Sequence, residues 1–231
     1  MVRREEGVYV YTLYDATQDN DGEYWCSVTP SGMTEVTGTF KLEVLVVGRI
    51  ISVSKPMEGK LGDTVTINCT VYSTPGANIT WSKGVPITDS DKYHIFEEEN
   101  APSLQQISSL EVRNLLAADN GTYQCRVENS LNDDVDTDDV SVIVIERPKI
   151  ADVDLTPVSS TELLAEWTII FDGNLDAPSC TVEFSQDTTD WAASANSPVT
   201  GESLKVTGLS PYTAYHVRII CSNKVGDSEE V

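Results

Sequence analysis

Five cysteines, two histidines and a surplus of acidic side chains are the groups in this 231-residue chain that could do covalent, metal or acid–base chemistry. Asn20–Cys26 reads N-D-G-E-Y-W-C and Asp119–Cys125 reads D-N-G-T-Y-Q-C. Both follow one pattern: an acid or amide, Gly, Tyr and Cys at i, i+2, i+4 and i+6. The second copy has a further cysteine upstream, Cys69, and the first has none. No two cysteines form a C-x-x-C pair. His94 and His216 stand alone, and His216 alternates outward from Tyr215 and Val217. A nucleophile with its base and orienting group cannot be assembled from these residues, and no glycine-rich phosphate loop is present. The reading is a non-enzymatic chain with no catalytic, cofactor-binding or metal residues. Asp134, Asp136 and Asp138 have D-x-D-x-D spacing, which hints at calcium. An EF-hand loop would need Gly and Glu at its sixth and twelfth positions, where Asp139 and Ile145 stand. The run Asn132–Asp139 therefore reads as a solvated acidic hairpin tip, and Glu97-Glu98-Glu99 as a solvated loop.

Three N-glycosylation sequons start at Asn68, Asn78 and Asn120. Each asparagine falls at an outward strand position or in a turn, as an acceptor must. Cys69 in the middle of the first sequon makes Asn68 the poorest acceptor of the three.

Formal net charge is −22. Residues 1–46 carry 3 basic and 8 acidic side chains, 47–146 carry 7 and 16, and 147–231 carry 5 and 13. The excess is general rather than a tail. Such a surface repels phosphate backbones, which argues against nucleic acid as a partner and disfavours anionic membranes. No apolar run reaches the roughly 18 residues of a membrane span, so direct membrane insertion by these residues is not expected.

The elements that hold these residues have period two. Val65, Ile67, Cys69 and Val71 alternate with Thr66, Asn68 and Thr70, and Tyr123, Cys125 and Val127 with Gln124 and Arg126. Ile79 and Trp81, then Val140, Val142 and Val144, repeat the pattern. The runs are short and bounded by Gly, Pro, Asn or Asp, which predicts half-buried antiparallel strands packed as a sandwich. The fold class is all-β.

Cys69, Trp81 a dozen residues on, and Cys125 preceded two residues earlier by Tyr123 resemble an immunoglobulin domain of the intermediate set, covering 47–146. The resemblance implies a Cys69–Cys125 bridge between strands B and F, Trp81 packed against it, and Tyr123 as the corner of strand F. By chain entropy, closing that loop stabilises by about 4 kcal/mol. From Pro148 on, Trp167, the run Leu209-Ser210-Pro211-Tyr212-Thr213-Ala214-Tyr215-His216-Val217-Arg218-Ile219, and Asn223 with Gly226 are similar to a fibronectin type III domain over 147–231. Trp167 and Tyr215 are its core markers, and its last strand is expected to be incomplete. That register sets Cys180 on strand C against Cys221 on strand F, both inward. Either a cross-strand disulfide or two buried thiols fits, and a bridge asks for a Cα separation of about 4.4–6.8 Å.

Shifting residues 1–46 by 99 lays Tyr11 on Leu110, Gly22 on Gly121, Tyr24 on Tyr123 and Cys26 on Cys125. This segment resembles strands E, F and G of another immunoglobulin domain, its C-terminal half. The counterparts of Cys69 and Trp81 are missing, so Cys26 is expected to be unpaired. A face carrying Tyr11, Leu13, Tyr24, Cys26, Leu42 and Val44 is left without cover, and the chain is expected to begin inside one domain and end inside another. Short junctions at Val47-Gly48-Arg49 and Glu146-Arg147-Pro148 imply a semi-rigid string of domains.

Immunoglobulin domains followed by fibronectin type III resemble cell-surface adhesion and guidance proteins. The resemblance implies a protein-binding ectodomain segment, part of a longer membrane protein outside the plasma membrane or secreted. Its partner would be a protein ligand or a homophilic copy on another cell or in the matrix. The ectodomain of a receptor tyrosine kinase or phosphatase, and an intracellular titin-like muscle scaffold, use the same domains.

Overall fold

The structure, a computed structural model, describes residues 2–5, 8–100, 104–131 and 135–230; the side chains of 2–5, 99 and 100 are outside the description. It is all-β. In the first segment β1 (Val2–Glu5) pairs with β2 (Val8–Tyr11), and β3 (Gly22–Val28) with β4 (Val36–Leu42), as two separate two-stranded sheets. The hairpin partner β1 was not expected from the sequence, which indicated only three strands here. Leu13, Leu42 and Val44 are half-buried.

The central sandwich has β5 (Val46–Val53), β6 (Met57–Lys60), β7 (Val65–Thr74), β8 (Asn78–Lys83), β9 (Val85–Pro86), β10 (Tyr93–Asn100), β11 (Gln105–Val112), β12 (Gly121–Glu128) and β13 (Asp136–Ile145). One sheet runs β10-β11-β7-β5 and the other β6-β13-β12-β8-β9, with β6 parallel to β13 and the other pairings antiparallel. Along β7 every second residue from Val65 to Ser73 is buried, while Asn68 between them is exposed. Inward side chains of both sheets close one apolar core around Ile67, Val71, Trp81, Leu110, Leu115 and Val127. Glu97 and Glu98 correct the loop expectation: they lie in β10, an edge strand paired with β11. Their carboxylates point to water, a device that keeps an edge from recruiting foreign strands.

The third unit has β14 (Lys149–Ser159), β15 (Glu162–Phe171), β16 (Ser179–Ser185), β17 (Ala192–Ala193), β18 (Ser203–Thr207), β19 (His216–Asn223) and β20 (Gly226–Asp227). Its sheets are β14-β15-β18 and β17-β16-β19-β20. Trp167, Cys180, Val182, Val206, Ile219 and Cys221 fill its core.

Candidate functional site

In the central sandwich Cys69 on β7 and Cys125 on β12 are joined by a disulfide with a Cα separation of 6.4 Å, tying one sheet to the other. Trp81 sits directly beside Cys125 in the β8–β12 register, and Ser108 sits opposite Cys69 in the β11–β7 register. Both side chains are buried, and the Trp81 indole N–H donates to Ser108 Oγ at 3.1 Å. The indole therefore seals the bridge on one side and finds its single donor a partner across the core. Ser108→Ala is expected to leave that N–H unpaired and destabilise the domain by roughly 1–3 kcal/mol. Urea unfolding followed by exchange protection in β8 and β11 measures it, and unchanged protection would show that the hydroxyl is dispensable.

The turn before β12 is built the same way. Tyr123 Oη donates to the Asp119 carbonyl at 3.1 Å, and burial holds the phenol above its usual pKa, so it remains a protonated donor. Asp119 Oδ2 accepts the Leu116 N–H at 2.7 Å and pairs with Lys92. The first segment repeats the device. Tyr24 Oη donates to the Asn20 carbonyl at 2.7 Å, and Asn20 Oδ1 accepts the Thr17 N–H at 2.8 Å. Gly22 and Gly121 occupy the left-handed half of backbone space, at φ 144° and 133°, which is why glycine recurs at that step of both copies. Cys26 is an exposed free cysteine.

In the third unit Cys180 and Cys221 face each other across β16 and β19 and are joined by a disulfide. Their amides donate outward, Cys180 N–H to the Val199 carbonyl and Cys221 N–H to Ser228 Oγ. They thus form a non-hydrogen-bonded pair, the closer of the two antiparallel spacings. The Cα separation is 3.9 Å, below the range quoted above. Trp167 is buried in the same core. Tyr215 is half-buried just before β19, against Phe184 at 5.8 Å, and its Oη accepts the Ser210 N–H at 3.0 Å.

All three sequon asparagines are exposed. Asn68 lies mid-strand on β7 and Asn78 opens β8. Asn120 precedes β12, and its Oδ1 accepts the Val144 N–H at 3.0 Å. In the acidic run, Asp136 Oδ2 accepts the Ile50 N–H at 2.7 Å and Asp138 Oδ1 the Asp139 N–H at 2.8 Å. Asn132, Asp133 and Asp134 lie outside the described residues. Among the described residues no three ligating side chains gather as a metal site, and no helix is long and apolar enough to cross a membrane.

The joint between the last two units escaped sequence reasoning. The Glu146 N–H donates to the Gly173 carbonyl at 3.1 Å, and Asn223 Nδ2 donates to the Glu146 carbonyl at 2.7 Å. Asn174 Nδ2 donates to the Val144 carbonyl at 2.7 Å, and Lys224 pairs with Glu58. Two loops of the third unit thus grip the end of β13. A stacked group was also missed: the Arg218 guanidinium lies 4.2 Å from the centre of the Trp191 ring and hydrogen-bonds Glu183 at 2.7 Å.

Residues 49–144 match the family described as Immunoglobulin I-set domain, and 147–231 match Fibronectin type III domain. Among curated proteins, the cell adhesion molecule DSCAML1 of Gallus gallus is 24% identical over 218 residues, covering 92% of this chain and 10% of its own length. The human cell adhesion molecule DSCAM is 20% identical over 215 residues, with 92% and 11% covered. The muscle M-line assembly protein unc-89 of Caenorhabditis elegans is 26% identical over 139 residues, 59% of this chain and 2% of its own. The chain spans about a tenth of the adhesion relatives it matches. Among solved structures, titin domains A168–A170 align at TM-score 0.56 and 23% identity, covering all of this chain and 79% of that one. The mouse nectin-like molecule 4 ectodomain aligns at TM-score 0.57 and 16% identity, with 99% and 77% covered. At these identities the structural likeness carries the fold alone.

Proposed function

We propose that this chain, in which residues 49–144 match an I-set immunoglobulin domain and 147–231 a fibronectin type III domain, works as a protein-binding ectodomain segment of a cell-surface adhesion protein. Its partner is a protein ligand or a second copy on a neighbouring cell or in the matrix. The observation that carries this reading is the pairing, within one domain, of a buried inter-sheet disulfide with three exposed sequon asparagines. Both kinds of chemistry belong to an oxidising, glycosylating compartment. Relatives named as cell adhesion molecules support it across 92% of the chain. The negative surface favours a partner with a basic contact patch, and the gripped joint supports the view that domains are presented in a fixed order along a rod.

Secretion from animal cells tests the reading. The chain is expected to run as a glycoform that a peptide N-glycosidase collapses, with one step of the shift lost in Asn78→Gln and another in Asn120→Gln. The muscle-scaffold alternative has unc-89 in its favour. It would be supported instead by reduced Cys69 and Cys125 and an unmodified Asn78 in protein taken from tissue and read by mass spectrometry.

A further inference from the structure

The outer face of the β10-β11-β7-β5 sheet carries one row that the core does not use. The register sets Phe96 on β10 opposite Ser109 on β11, and Ser109 opposite Asn68 on β7. The adjoining row, Leu110 and Ile67, is buried in the core, so this one lies on the solvent side. Neighbouring strands are about 4.8 Å apart, which puts about 10 Å between the Phe96 and Asn68 backbones. One asparagine side chain and one pyranose ring span that gap. Ser109 is short and 5% exposed, so it makes a floor and not a wall. Asn68 is exposed and Phe96 half-buried. On the other side of Asn68 stands Ser54, whose Oγ accepts the Asn68 N–H at 2.7 Å and whose N–H donates to the Asn68 carbonyl at 2.9 Å. The row is therefore apolar on its Phe96 side and polar on its Ser54 side. Ile107, opposite Glu98 and Thr70 in the next row, widens the apolar floor. The Phe96 ring is also braced. The His94 ring centre is 5.7 Å away, and Asp89 Oδ1 holds His94 Nδ1 at 2.9 Å.

We propose that Asn68 is a glycosylation site with its own seat: the first N-acetylglucosamine lies across Ser109 against the Phe96 ring. This rests on the extracellular reading above and adds which acceptor is held, and by what. In the transfer Asn68 Nδ2 bonds to C1 of the sugar, the bond from C1 to a polyprenyl pyrophosphate carrier breaks, and the amide gives up one proton. A β-linked pyranose presents C–H groups along one face. That weakly positive face meets the negative face of the aromatic ring, and the contact takes apolar area of both out of water. The sugar keeps its hydroxyls in solvent, so it covers a ring that faces water without leaving polar groups unpaired. The other two acceptors have different surroundings. Asn78 stands opposite Glu128, and Asn120 sits in a turn with its Oδ1 on the Val144 N–H. Cys69 lowers how often Asn68 is filled and leaves the seat itself unchanged.

The test uses the full chain, secreted from animal cells blocked in complex-glycan processing and trimmed by an endoglycosidase to one N-acetylglucosamine per filled site. Thr70→Ala, which removes the sequon and leaves Asn68, is the bare reference. Mass spectrometry is expected to find the sugar on Asn68 in the parent and not in Thr70→Ala. Amides of β10 and β11 should exchange roughly 5-fold more slowly in the glycosylated parent than in that reference. In a Phe96→Ala background the same ratio should fall to about one, which cancels any effect of Thr70→Ala itself. Phe96→Tyr should keep it. Nuclear Overhauser contacts should join the sugar protons to the Phe96 ring. A ratio unchanged by Phe96→Ala, or a filled Asn68 without those contacts, would overturn the proposal. A bare Asn68 beside filled Asn78 and Asn120 would overturn it too and leave the extracellular reading standing, whereas three bare asparagines would sink both.

Discussion

Replacing both Cys69 and Cys125 with alanine is expected to destabilise the I-set domain by about 2–5 kcal/mol, enough to make it the weakest unit of the chain. The bridge closes a loop with a sequence separation of 56, and that of the fibronectin domain a loop with a separation of 41. Loop entropy alone puts both near 4 kcal/mol and cannot rank them. Their settings can. Cys180 and Cys221 stand opposite on strands already hydrogen-bonded into one sheet, so the native pairing persists without the sulfurs. Cys69 and Cys125 join two sheets that share no hydrogen-bond ladder, and Trp81 packs against them with its N–H held by Ser108. Losing that link removes the tie between layers and opens space beside the buried Trp81 ring. The domains need not unfold together, so a single melting point is a poor readout. Exchange protection resolved by strand is the measurement. β7, β8, β11 and β12 should lose protection while β15, β16 and β19 keep theirs; equal loss in both domains would refute the ranking.

Much of this was legible because it is local. Period-two runs around Cys69, Tyr123 and Val142 announce strands with one buried face, and two cysteines with a tryptophan between them announce how two faces meet. The doubled N-x-G and D-x-G turns gave the register of the first segment even without its cover. Charge misled at Glu97–Glu99. A run of acids suggested a loop, but pairing of β10 with β11 through eight residue pairs outweighs local composition at an edge strand whose side chains stay in water. Ser108 carried a signal that was not used: a hydroxyl at an inward position of β11 needs a partner, and the indole of Trp81 is the donor at hand. The joint could not be read at all. Asn174 reaches 30 residues and Asn223 reaches 77 to carbonyls at the end of β13. Neither periodicity nor composition marks a side-chain amide that bonds to distant backbone.

That joint yields the second large effect. Gly173→Ala is expected to release the fibronectin domain from the I-set domain while both cores stay folded. Gly173 has φ 88°, where L-residues with a Cβ are strained, and a Cβ built there falls well inside contact distance of the Glu146 carbonyl oxygen and Asn223 Nδ2. The backbone on the other side of that contact cannot yield cheaply. Glu146 is bonded in both directions, its N–H to Gly173 and its carbonyl to Asn223, and Val144 just before it is held by Asn174. The added methyl must therefore break the Glu146–Gly173 bond or the Asn223 bond, and with either loss the grip becomes one-sided. A net hydrogen bond is worth about 1 kcal/mol and a stranded buried donor about 1–3 kcal/mol. The Glu146 amide should then exchange roughly 10-fold faster, since about 1.4 kcal/mol is a factor of ten. Small-angle scattering should show a broader spread of inter-domain distances in Gly173→Ala than in the parent. Asn223→Ala, which removes the donor without adding bulk, should give a smaller change in the same direction. An unchanged scattering profile in Gly173→Ala, with the Glu146 amide still protected, would mean that the domains are held by something other than this grip. The rod-like presentation proposed for adhesion would then need another support.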